Sequence, residues 1–235
     1  MQPYFLPYIG YFQLIRAVDE FIVYDNIQFS KKGWFHRNRM LQNGKDEYFS
    51  LTLKKDSDFL DVRDRRLSDS WAADREKIVR KIAQNYRKAP YFETIFPMVE
   101  SIFYFPEQRL FDFIFSSLRT VCRYLDITTP LTVSSTVEID HTLKGQDKVI
   151  ALVKKTGGRI YLNPIGGFDL YHPADFSAEG LTLQFHKARP FTYPQPGDAF
   201  VPWLSVLDLL MFNPKEQVIR WLDNFDIIIK DEQEN

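Results

Sequence analysis

The sequence predicts an α/β protein: a mostly parallel sheet with flanking helices, a β-hairpin and an all-helical middle section. Three observations predict it. The opening 24 residues read as turn, helix and buried strand, the second half of a βαβ unit. Two alternating runs meet at Asn43-Gly44, a pair that tolerates positive φ and favours a type I′ hairpin turn. From about residue 70 to 127 the apolar residues recur at helical spacing, and strand–helix–strand spacing returns at Pro130. The expected organisation is one domain over residues 1–235 with a helical subdomain at about 70–127.

Taken in order, Pro3 and Pro7 bracket an extended turn, because proline lacks an N–H and restricts the residue before it. Gly10 to Ala17 is a short helix and Phe21 to Tyr24 a buried strand. A βαβ unit needs a further strand ahead of Gln2, and the expectation is that a few strand residues precede this start. The hairpin runs from Arg39 to Gln42 and from Glu47 to Leu53, and residues 55–70 are expected to be a solvated loop. Ile78, Val79, Ile82 and Tyr86 form one helical stripe, a second helix covers Tyr91 to Tyr104, and a third opens at Pro106-Glu107. Beyond a strand at 130–134 come a helix at 148–155, stopped by Gly157-Gly158, and a strand at 159–162. A strand at 181–186 and a helix at 203–212 follow. Asn213-Pro214-Lys215-Glu216 reads as a helix start with Asn as the cap, and Val218, Ile219, Leu222 and Phe225 as its apolar face.

Composition removes several classes of function. With 30 Lys and Arg against 31 Asp and Glu, the chain lacks the basic surplus of a nucleic-acid binder. No apolar stretch is long enough for a membrane span and no signal-peptide pattern opens the chain, so the expected compartment is cytoplasmic. A single cysteine, Cys122, rules out an internal disulfide framework or a thiolate zinc cage. It lies on an apolar helical face and reads as a small core residue. The four histidines show no ligand spacing, so no metal site is expected, and no cofactor is evident. Aromatic residues make up 16% of the chain, and those of the opening segment sit beside its polar candidates.

The loop from Asp25 to Arg39 follows a parallel strand, and ligands in open α/β sheets bind beyond the carboxyl ends of strands. It offers Asp25, Gln28, Lys32, Trp34, His36, Asn38 and Arg39, a mixture of cations and aromatics suited to an anionic ligand with a flat group. The plain alternative is an exposed charged loop pinned to the core by its aromatics. Gly10 stands where strand should turn into helix, a place where a glycine lets a phosphate approach a helix N-terminus. That turn invites comparison with nucleotidylyltransferases, which carry an H-x-G-H motif there. Here Tyr8 (or Ile9) and Tyr11 occupy those positions, which weakens a phosphoryl-transfer reading because tyrosine brings no positive charge. The fold expectation is accordingly a nucleotidylyltransferase-like Rossmannoid. Ser134 at a strand end, and Gly166 and Gly167 after the strand at 159–162, are further candidates, with capping and a plain turn as their alternatives.

Several of these segments carry a resemblance. The opening QPYFLPYIGYF, then D-N-I-Q-F-S-K-K-G-W, R-N-R-M, S-S at 134–135, I-Y-L-N-P-I-G-G at 160–167, F-T-Y-P-Q at 191–195 and P-W-L-S-V-L-D-L-L at 202–210 resemble the WbqC-like protein family over nearly the whole chain. Members of that family usually have a short apolar strand before the Q-P pair. The resemblance implies a role linked to O-antigen and other bacterial surface polysaccharides, with members proposed as glycine or other aminoacyl transferases acting on amino sugars. It transfers motif positions, among them Gln2, Tyr11, Tyr161, Tyr193, Ser205 and Asp208, and no established catalytic residue. The expected partner is a small molecule: a nucleotide, a nucleotide sugar or an activated acyl donor. Asp25 or His36 is the expected base, and Asn38, Arg39 and backbone N–H groups near Gly10 are expected to bind the donor. A non-catalytic nucleotide or nucleotide-sugar binding protein, or a nucleotidylyltransferase, are the competing expectations. Oligomeric state is left open.

Overall fold

Two prolines stiffen the opening segment, and buried donors from distant parts of the chain hold it in place. Leu6 adopts a left-handed conformation (φ 44°), which disfavours a branched side chain by about 1–3 kcal/mol. Its carbonyl accepts hydrogen bonds from Asn38 Nδ2 (2.8 Å) and Ser205 Oγ (2.7 Å), which fix that conformation. A computed structural model of the chain describes residues 1–197 and 199–230. Helix α1 (Ile9–Arg16) follows the turn with all but its last residue buried. Strand β1 (Phe21–Val23) comes next. The backbone of Met1 lies beside it: the Met1 amine donates to Ile22 O (2.6 Å) and Tyr24 N–H donates to Met1 O (2.8 Å), the arrangement of a parallel ladder.

Strands β2 (Arg37–Gln42) and β3 (Lys45–Ser50) form the expected hairpin, with Asn43 and Gly44 at φ 52° and 74°, as a type I′ turn requires. Residues 55–70 are less solvated than expected. The 25–29 and 60–63 segments run antiparallel, joined by bonds such as Phe29 N–H to Leu60 O, and Leu53 bridges Leu67. Val62, Arg65 and Leu67 are buried as a result.

Helices α2 (Trp71–Tyr86), α3 (Phe92–Phe103) and α4 (Leu110–Tyr124) pack together, burying Val79, Ile82 and Tyr86 of the expected stripe. Helix α4 starts later than Pro106-Glu107, because the Glu107 carboxylate accepts the N–H groups of Gln108 and Arg109 and forms a separate turn. Strand β4 (Leu131–Val133) pairs parallel with β1, in the register Val23 to Val133. Then come α5 (Gly145–Lys155), β5 (Ile160–Pro164), a 3₁₀ turn at Ile165–Leu170, the short α6 (Pro173–Ala178) and β6 (Thr182–Ala188).

The chain ends in α7 (Val206–Phe212), α8 (Lys215–Trp221) and β7 (Phe225–Ile228). Asn213 does not cap α8: its Nδ2 donates to Leu209 O and closes α7 instead. Phe225, expected on a helical face, lies in β7, since the helix stops at Trp221 and a β-branched run follows.

The strands form three small sheets, β1-β4, β2-β3 and β5-β6-β7, in a mixed α/β fold. Of their pairings, β1-β4 and β5-β6 are parallel, while β2-β3 and β6-β7 are antiparallel. A large core joins α1, the hairpin, α2–α4, α7 and α8. A smaller one, around Val149, Val153, Phe176, Leu183 and Phe185, lies under β5 and β6. A groove of about 750 Å³, lined by Met1, β1 and β5, separates the two parallel pairs. Among the described residues no helix is long and apolar enough to cross a membrane.

Candidate functional site

Strands β1 and β4 are neighbours and parallel, so their carboxyl ends place the next residues of both together. Asp25 emerges from β1, and Ser134 and Ser135 from β4. Ser134 Oγ (3.0 Å) and Ser135 N–H (3.0 Å) donate to Asp25 Oδ1, and Ser135 Oγ donates to Oδ2 (2.6 Å). Burial pushes the Asp25 carboxyl up, but the hydrogen bonds from Ser135 and Ser134 outweigh it and hold the group below its ordinary value. Asp25 is therefore an ionised, saturated carboxylate, better suited to positioning two hydroxyls than to taking a proton.

Other groups extend this crest. The Ser134 hydroxyl shares its one hydrogen between Asp25 Oδ1 and Asn26 Oδ1 (2.6 Å), and Asn26 Nδ2 lies 3.0 Å from His141 Nδ1. Lys148, in the first turn of α5, points its ammonium at Asn26 O (3.5 Å) and lies 5.5 Å from the Tyr24 ring centre. Partial burial lowers the Lys148 pKa, against the opposing pull of Asp61 and Asp25. Arg63 reaches Asp25 Oδ2 at 3.7 Å from the exposed side.

The end of β5 closes the same region. Tyr161 OH donates to Asn163 Oδ1 (3.0 Å) and lies 3.5 Å from Tyr171 OH. Burial, and then Tyr171, push the Tyr24 hydroxyl up, and Tyr24 and Tyr161 both line the groove between the parallel pairs. Gly167 is needed there, since a Cβ would sit 2.2 Å from Asn163 Nδ2, whereas a Cβ on Gly166 would meet open space. Gln2 lies next to the Met1–β1 ladder. Its carbonyl accepts Tyr11 OH (2.8 Å) and its Oε1 accepts Tyr4 OH (2.8 Å).

The structure thus brings Asp25 and Ser134 together at the carboxyl ends of β1 and β4, places Gly167 just past β5, where the Tyr161 hydroxyl reaches Asn163, and disperses the other expected site residues. Tyr11 is 2% exposed and holds the opening turn through Gln2. Gly10 does not leave its face open to a phosphate, because the Tyr8 ring covers it: a Cβ there would lie 2.3 Å from the ring. Asn38 is buried and spends both amide hydrogens on the Phe5 and Leu6 carbonyls. Trp34 stacks on Tyr48, with the Arg37 and Arg39 guanidinium groups over its ring. Arg39 pairs with Asp46 and donates to Trp203 O. Gln28 donates to Asp58 O, and the exposed Lys32 contributes its carbonyl to Arg37.

His36 lies away from Asp25, across the 25–29 ribbon. It packs on Phe29 and borders a hollow of about 330 Å³ with Lys31, Lys54, Lys55 and Arg65. Burial, and then the Arg37 and Arg65 charges, lower its pKa to about 4, so its imidazole is neutral at pH 7. The two expected bases do not share a site. Asn26, His141, Lys148, Tyr24 and Tyr171 are crest residues that the sequence did not single out. Ser135 was legible as the neighbour of Ser134, but a lone lysine early in a helix carries no pattern that marks it. Cys122 is buried, with its thiol pushed up to about 12, as a core residue should be.

A mixed α/β protein with a polar crest at two parallel strand ends is the class that fold and geometry define. The chain belongs to the WbqC-like protein family, whose model matches residues 2–220. It is similar to an uncharacterized protein of Mycobacterium tuberculosis, 27% identical over 216 residues that cover 89% of this chain and 90% of the relative. No solved structure matches it significantly.

Proposed function

We propose that the chain is an acyl or aminoacyl transferase that modifies a small polar acceptor such as an amino sugar, in the assembly of surface polysaccharide. The observation that carries this reading is the crest itself: an ionised Asp25 orients two serine hydroxyls, and the half-buried Lys148 points its ammonium at the neighbouring Asn26 carbonyl (3.5 Å). In such a transfer the acceptor amine attacks the activated acyl carbon, a C–N bond forms, and the donor's leaving group departs with its electron pair. The proton shed by the attacking amine needs a base, and we assign that role to Lys148 in its neutral form, beside the crest, because Asp25 already accepts from both serines and is held below its ordinary value.

The nucleotidylyltransferase-like Rossmannoid arrangement belongs to this proposal. Two parallel pairs flanking one groove, with Met1 in ladder contact with β1 between them, support it. A second reading, a nucleotide or nucleotide-sugar binding protein without catalysis, is favoured by one observation: every Asp25 oxygen already has a hydroxyl or amide donor. Nucleotidyl transfer proper is disfavoured by Tyr8, which covers the Gly10 turn.

Mass-spectrometric screening of aminoacyl thioesters and adenylates against amino sugars tests the proposal. The expected result is amide formation that falls about 100-fold in Lys148→Ala. Saturable nucleotide-sugar binding without turnover of any donor establishes the second reading instead.

A further inference from the structure

We propose that a cavity of about 530 Å³, between the start of α1 and the 189–204 segment, is a binding site for a ring with a flat apolar face, of the kind a pyranose or a nucleobase presents. It goes beyond the crest reading, because binding here needs no transfer chemistry. The walls are aromatic: Tyr8, Phe191, Tyr193, Phe200 and Trp203. Tyr8 and Trp203 meet edge to face at 5.7 Å, and Tyr193 and Phe200 do the same at 5.1 Å. Such ring sets bind the C–H face of a sugar or the π face of a base. Arg189 at the rim is already paired with Asp226, so recognition rests on the apolar face and not on charge.

The cup is assembled at the expense of backbone comfort. Gly10 is required for Tyr8 to face the cavity, since any Cβ there would collide with the Tyr8 ring. Leu6, two residues before Tyr8, is left-handed and held so by the buried Asn38 and Ser205. Trp203 is also left-handed (φ 60°), and Arg39 Nη2 holds its carbonyl at 3.1 Å. Trp203 is nonetheless 55% exposed. A large apolar side chain placed by a strained backbone into solvent gains little from packing, and strain of this kind gathers at ligand sites. Behind the cup, Tyr193 OH donates to the fully buried Asp208 at 2.6 Å, and Gln195 Nε2 donates to both residues, which locks the back wall. The motif segments around Tyr8, Tyr193 and Trp203 line this cavity, and Asn38 and Arg39 of a fourth hold the Leu6 and Trp203 carbonyls behind it.

The test titrates N-acetylglucosamine and uridine, with glycerol as a ringless control, into the intact chain while following melting temperature and tryptophan fluorescence. Saturable binding of either ring compound, with glycerol inert, is the expected result, and which one saturates tells sugar from base. Trp203→Ala should weaken that binding at least tenfold without lowering the melting temperature of the free protein, because the indole is already largely in water. Tyr8→Ala provides the same readout on the opposite wall should Trp203→Ala fail to fold. The proposal is overturned if neither ring compound saturates at tens of millimolar, or if both variants bind as the unaltered chain does. Neither arm reads turnover, so failure here is separate from failure of the transferase reading.

Discussion

The crest and the aromatic cup are both built around a buried carboxylate, yet they use it in opposite ways. At the crest, Asp25 is close to the surface and its serine partners follow directly from strand ends, so the site is a by-product of sheet topology. At the cup, Asp208 of α7 is wholly buried and braces side chains from α2 and the 193–195 segment, while left-handed residues aim the rings. The Asp25 carboxyl is held below its ordinary value by hydrogen bonds, whereas burial pushes the Asp208 carboxyl up despite three donors. A polar site at strand ends needs few special residues; an aromatic one at a strained turn needs many, spread widely along the chain.

The largest expected effect separates the two regions. Asp208→Ala strands the Tyr86 and Tyr193 hydroxyl donors, while Gln195 Nε2 keeps Tyr193 OH and Val201 O, and should lower stability by about 3–5 kcal/mol in urea unfolding. Asp25→Ala at the more open crest should lower it by about 1–3 kcal/mol, because Ser134 keeps its bond to Asn26. Equal losses would erase the contrast.

Acid should act on neither site first. Burial lowers His36 and His186 to about 4, with the Arg37 and Arg65 charges adding to it at His36. The unfolded chain then binds more protons across that window, so stability rises with pH from about 4 to 6.5. Unfolding free energies measured at pH 6.5, 5 and 4 check this, and a flat profile would contradict it.

Gly10→Ala should destabilise by about 1–3 kcal/mol, and Tyr8→Ala in the same chain should recover most of that loss, since the clash is with the Tyr8 ring. A double-mutant cycle with no coupling would remove Gly10 from the cup. Smallest of all, Trp203→Ala should change stability by less than about 0.5 kcal/mol, as an exposed side chain does.

These differences also explain what was legible in the sequence. The hairpin, the three middle helices and the strands β1, β4, β5 and β6 follow from local periodicity and turn residues, and each lies close to its expected place. Strand β7 was hidden because Phe225 sits at helical spacing from Val218 and Leu222, and only the break at Asp223-Asn224 separates them. The position of Asp25 beyond a strand was readable from sequence, and so was its neighbour pair Ser134-Ser135. Lys148, His141 and Tyr171 were not, because none of them stands at a predicted strand end or in a pattern that marks it, and only the fold brings Lys148 to Asn26 and His141 to its amide. Gly10 shows the limit most clearly. Its position signalled a close approach, but whether phosphate or a tyrosine ring makes that approach is decided by the left-handed turn at Leu6, which requires Asn38 and Ser205.

Hydrogen–deuterium exchange with and without uridine diphosphate N-acetylglucosamine tests most directly that the crest and the cup are the two ligand-facing regions. The account predicts slowed exchange at residues 24–26 and 134–136 of the crest, at 200–204 of the cup, or at both, with the hollow beside His36 unchanged. Protection confined to residues 31–37 and 53–56 around His36 would contradict it.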